Sequence, residues 1–127
     1  MSNHVHLIAS SSVGMLSDTV RDLKKFTANT IIQQIKSSKE SRRKWLLKNM
    51  ELAAGMHKRN TKLQLWTHNN HAVELSTNLM MDQRLNYIHH NPVAAGIVEK
   101  PEDYLYSSAR NYCDGLEYLI EIDLLDQ

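Results

Sequence analysis

A chain of 127 residues, 42% hydrophobic and 23% charged, has the length of one domain with one modest core, and no apolar run approaches a membrane span. Its N-terminus shows no basic segment followed by an apolar stretch, and its one cysteine, Cys113, excludes an internal disulfide and any cysteine-rich zinc site; both fit the cytoplasm. The net charge of +1 does not announce a nucleic-acid binder, yet residues 21 to 62 hold twelve Lys and Arg against Asp22, Glu40 and Glu51, which is either a phosphate-contacting surface or a solvated helix face.

Residues 4 to 10 read as a strand that opens on His4-Val5-His6. In a strand His4 and His6 share one face and Val5 takes the other, so two imidazoles can hold a divalent metal between them. Alone, His-x-His is a weak motif. Ser10 to Gly14 is a loop. A helix follows from about Leu16, because Leu16, Val20, Leu23, Thr27, Ile31 and Ile35 recur at three- and four-residue spacing, with Ser17 as its expected cap. Arg21, Lys24 and Lys25 lie off that stripe, towards solvent or a ligand. Ser37-Ser38 breaks the pattern, and a second helix runs from about Ser41 to Met56, basic in its first half. Lys58 to Lys62 is a connector, with His57 just before it.

Leu63 to Trp66 and His71 to Leu75 both alternate and flank Thr67-His68-Asn69-Asn70, so they read as a β-hairpin. Trp66 is either a core residue or a base-stacking one, and His71 either packs or meets DNA; His68 is expected to be exposed. Ser76-Thr77-Asn78 offers a cap for a third helix over Leu79 to His90, with Met81, Leu85 and Ile88 as its core stripe. Gln83, Tyr87 and Asn91 form a neighbouring polar stripe. Asn91-Pro92 is expected to stop the helix, since proline disfavours helical geometry in the residue before it. His89 and His90 are expected at the surface. Val93 to Val98 is a turn, and a short helix runs from Pro101 to Asn111. Leu116 to Leu125 is apolar but acidic, either a last strand or a tail.

Tyr87 is by itself either a half-buried aromatic or a nucleophile. A phenol ordinarily holds its proton up to about pH 10, so attack on a phosphodiester needs a metal that polarises the phosphate. Hard phosphate chemistry favours Mg2+ or Mn2+.

Ser2-Asn3-His4-Val5-His6 resembles the metal-binding motif of the HUH single-tyrosine transposases of the insertion-sequence type. The run from Leu85 through Tyr87-Ile88-His89-His90-Asn91-Pro92-Val93 to Gly96-Ile97-Val98 resembles the catalytic helix and turn of their REP-associated branch. Asp22 to Thr27 and Tyr104 to Ala109 resemble the same branch, so the resemblance covers most of the chain in the family's order. It implies an α+β fold, an antiparallel ferredoxin-like sheet with helices packed on it, over residues 1–115, followed by an acidic tail over 116–127. It implies His4 and His6 as metal ligands and Tyr87 as the nucleophile that takes a 5′-phosphate and leaves a free 3′-hydroxyl. Asn91 matches the place of a third ligand, and it is equally a residue that ends a helix. Arg21, Lys24 and Lys25 become phosphate contacts. The implied activity is metal-dependent cutting and rejoining of single-stranded DNA beside hairpins or palindromes, as a monomer or a homodimer and without a membrane. A non-catalytic hairpin-binding remnant is the alternative, and an unrelated metalloprotein a third reading. Relatives usually carry a few dozen residues before the His-x-His strand, so the resemblance also implies a chain shortened at its N-terminus, with an exposed sheet edge.

Overall fold

The computed structural model describes residues 3–56 and 62–125. Ser2, His57 and the connector over 58–61 lie outside the described residues. Three α-helices follow one another, α1 (Leu16–Ser37), α2 (Arg43–Gly55) and α3 (Asn78–Ala94), and then two 3-10 helices, Pro101–Asp103 and Ser108–Tyr112. No helix among the described residues is long and apolar enough to cross a membrane.

The expected α+β fold is corrected here: among the described residues there is no β-strand, hence no antiparallel ferredoxin-like sheet. Alternation arranges side chains, but a strand exists only where its N–H and C=O groups meet a partner ladder. Those groups are spent elsewhere. The N–H of Gln64 donates to the carbonyl of Met50 on α2 at 3.0 Å, and the Gln64 amide donates to the carbonyl of Trp66 at 2.9 Å. Asn69 Oδ1 accepts the N–H of His71 at 2.9 Å, a turn in which His71 adopts a left-handed φ of 49°. Thr67 to His71 therefore curls where a hairpin would bring two strands together. Residues 4–10 lack any regular secondary structure.

The chain forms two compact units, residues 9–72 and residues 1–8 with 73–127. In the first, α1 packs on α2. The start of α1 is not capped by Ser17: Met15 is the capping residue and uses its backbone carbonyl, 2.9 Å from the N–H of Asp18. Without a sheet to cover it, the apolar stripe of α1 is only partly shielded, and no α1 residue is buried. Among the described residues of this unit, the buried side chains are Met50 and Ala54 of α2. Trp66 lies half-buried with its indole N–H on Thr27 Oγ1 at 2.9 Å, which makes it a packing residue with its polar edge satisfied.

In the second unit α3 is the organising element. Thr77 caps it, its hydroxyl accepting the N–H of Met80 at 3.2 Å. Leu85, His89 and Pro92 are its buried residues. The helix runs past Asn91-Pro92 to Ala94, against expectation. A helical proline costs about 3 kcal/mol in an open helix interior; here its ring is buried and the end of the helix is closed by a Schellman motif. Gly96 N–H reaches the Val93 carbonyl and Ile97 N–H the Pro92 carbonyl, both at 2.9 Å, with Gly96 at φ 67°. A Cβ at Gly96 would meet no atom within 4 Å, so the cost of a side chain is purely conformational. Gly96→Ala is expected to lower the unfolding free energy by about 1 kcal/mol, read as a lower urea midpoint at unchanged slope.

The two 3-10 helices replace the single short helix expected over 101–111. The first packs on α3, and the second is started by Ser107, whose hydroxyl accepts the N–H of Ala109 at 3.2 Å. The tail lies against the second: Asn111 donates to the carbonyl of Ile120 at 2.9 Å, and the N–H of Leu125 donates to the Tyr112 hydroxyl at 3.0 Å.

His89 corrects the expectation of a surface histidine. It is 9% exposed, its Nε2 lies 3.0 Å from Ser108 Oγ, and its ring meets Tyr112 edge-on. Burial, and then the nearby His90, lower its pKa from the ordinary 6.5. The unfolded chain therefore takes up this proton first as pH falls, so stability is fully present above about 6.5 and declines below it towards the lowered folded value. Melting temperature is expected to drop between pH 7.5 and pH 5, and His89→Gln to flatten that drop.

Candidate functional site

All four residues expected in the chemistry belong to the unit built on α3. His4 and His6 come from the N-terminal segment, and Val5 between them is 69% exposed. Their rings lie 4.9 Å apart, nearly perpendicular. No ladder is needed for this, since any extended backbone puts i and i+2 on one side. Tyr87 and Asn91 are one turn apart on α3 and present neighbouring side chains. The ring of Tyr87 stands 5.4 Å from that of His6, edge to face, and is about half exposed. Asn91 donates its amide N–H to Nε2 of His6 at 3.0 Å.

The contact with Asn91 bears on the tautomer of His6. Nε2 of His6 accepts a hydrogen bond, so its proton sits on Nδ1. Partial burial, and then the neighbouring His4, lower the pKa of His6 from 6.5, so the ring is neutral at neutral pH and its Nε2 lone pair is available. His4 donates from Nδ1 to the side-chain oxygen of Asn3 at 2.7 Å. Asn3 was no sequence candidate; its place beside His4 was the signal.

A donor set of two imidazoles and one carboxamide suits Mn2+, which accepts nitrogen ligands more readily, better than Mg2+, which favours oxygen ligands throughout. Asn91 fits as a ligand only after a half-turn of its amide, which replaces the N–H now on His6 by the oxygen. Among the described residues no group of three or more His, Cys, Asp or Glu side chains is placed to hold a metal. A divalent cation held by these donors would need further oxygen ligands, such as those of a phosphodiester.

The cationic candidates lie on α1, in the other unit. Arg21 is held by two carboxylates, Asp18 Oδ1 at 2.5 Å and Asp22 Oδ1 at 3.1 Å. Lys24 donates to the carbonyl of Thr67 at 2.8 Å and to Asn70 Oδ1, so it fastens the 67–70 turn to α1. Lys25 is exposed, and no ion pair among the described residues involves it. His71 is exposed at the surface.

No protein-family model matches the chain, and no curated protein and no solved structure matches it.

Proposed function

We propose that the chain cleaves and rejoins single-stranded DNA beside hairpins, with Tyr87 as the nucleophile. The observation that supports this reading most is the meeting of His6 with Tyr87 and Asn91, residues some eighty positions apart in sequence. A half-exposed phenol beside two imidazoles that could hold a cation supports tyrosine attack on phosphorus, for which the cation would polarise the phosphate.

In the reaction the phenol gives up its proton to water and its oxygen forms a bond to phosphorus. The bond from phosphorus to the 3′-oxygen breaks, and that oxygen leaves as a hydroxyl after taking a proton from solvent. One phosphodiester replaces another, so rejoining by a 3′-hydroxyl needs no nucleotide cofactor. His4, His6 and Asn91 would hold a divalent cation, Mn2+ or Mg2+, which when bound supplies positive charge to the phosphate oxygens. The exposure of Tyr87, about half of its surface, supports its access to a strand from solvent. The working place of such a protein is the cytoplasm, on the nucleoid when bound to DNA.

The test is adduct mapping. The full chain is incubated with Mn2+ and an end-labelled hairpin strand carrying a single-stranded flank. A denaturant-stable protein–DNA species whose digest places the nucleotide on the Tyr87 peptide, with a free 3′-hydroxyl on the other fragment, is the expected result. Binding without an adduct would instead favour the hairpin-binding alternative. That reading draws on the Asn91 amide, which occupies His6 Nε2 in the structure.

A further inference from the structure

The helix α2 turns one face inward through Leu46, Met50, Ala53 and Ala54, of which Met50 and Ala54 are buried. Its opposite face carries Trp45 and, three and seven positions on, Lys48 and Leu52, all on one side of the helix. Trp45 is 62% exposed. A tryptophan left in water at the middle of a basic run is a costly choice for stability alone, since it leaves a large apolar ring uncovered.

The charges around it are partly committed. Arg42 reaches Glu40 at 3.4 Å, and Arg43 donates to the carbonyls of Lys36 and Ser38 at the end of α1, each at 3.4 Å. Lys44 and Lys48 take part in no ion pair among the described residues. No acidic residue stands in the first turn of α2 to offset them. An aromatic face flanked by uncommitted ammonium groups complements one polymer in both its parts: an unpaired base stacks on the indole, and the phosphates on either side meet the lysines. A duplex offers the phosphates but keeps its base faces stacked inside.

We propose that Trp45, with Lys44 and Lys48, is a stacking platform for an unpaired stretch of DNA. The choice of DNA over RNA rests on the reading of Tyr87 given above; the platform itself does not involve Tyr87. An apolar protein segment would cover the indole but leave the lysines unmatched, and a second copy, whose acidic 116–127 stretch could meet them, is one of the outcomes the test separates.

The test uses the full chain and a fluorescent oligothymidylate of about twelve nucleotides, within the span such platforms cover. Anisotropy is expected to report binding that Trp45→Ala weakens roughly tenfold and Trp45→Phe much less. An abasic oligomer of the same length is expected to bind wild type and Trp45→Ala alike. Replacing Lys44 and Lys48 by Gln is expected to reduce the slope of log affinity against log salt by about 0.7 per lost phosphate contact. Equal affinity of Trp45→Ala and wild type, with unchanged circular dichroism, overturns the platform. So does a face that proves to be a self-interface, seen as a dimer that Trp45→Ala dissolves without loss of DNA binding. Tyr87→Phe separates the two proposals: retained oligothymidylate binding with no adduct keeps the platform whatever becomes of the nucleophile.

Discussion

Tyr87→Phe is expected to remove adduct formation and strand cleavage by at least about three orders of magnitude, the scale of losing a nucleophile whose work no neighbour can take over. The substitution deletes one hydroxyl from a half-exposed ring and leaves the edge-to-face contact with His6 in place. Stability should therefore stay within about 0.5 kcal/mol of wild type, as for surface changes that break no packing. The measurement is a denaturing gel of the hairpin reaction beside a melting curve of each protein. Residual cleavage at the wild-type rate would sink the assignment of Tyr87. Loss of cleavage together with loss of the fold would indict the helix rather than the hydroxyl.

The second large effect is on stability. Leu85 is 6% exposed on α3, where the buried set is small. Leu85→Ala is expected to cost about 2–3 kcal/mol, the lower half of the range for leucine truncation, because a thin core can settle into part of the cavity. Urea unfolding measures it. The same helix carries Tyr87 and Asn91, so the contacts of both with His6 should weaken with it, seen as faster amide exchange in α3. A change below about 0.5 kcal/mol would mean that Leu85 is not the anchor its burial implies.

Helices were legible because their signals are local. The stripe from Leu16 to Ile35 and the Ser76-Thr77-Asn78 cap mark α1 and α3 to within a residue or two of their observed starts. The sheet was misread because alternation in 4–10, 63–66 and 71–75 says which side chains share a side, not whether a partner strand exists. The hydrogen bonds of Gln64 and His71 go to α2 and to a local turn, and neither choice leaves a trace in hydrophobic pattern. At Asn91-Pro92 a local steric rule gave way to ring burial and a glycine four residues later. His89 was readable: Met81, Leu85, His89 and Pro92 follow one another at helical spacing, so the imidazole lies on the inward stripe. The bonds of Lys24 to the 67–70 turn depend on an approach across more than forty residues, which no local pattern records.

The bond between Asn91 and His6 has a topological meaning as well as a chemical one. It closes a loop across 85 positions, and it ties an end segment that no ladder secures. Loop-closure entropy grows only slowly with length, so one good tie can hold so long a loop at little more cost than a short one. The Tyr87 ring shares this work, so the first residues report on both contacts: drawing the amide away from His6 loosens the N-terminal segment, and losing the ring contact as well would free it.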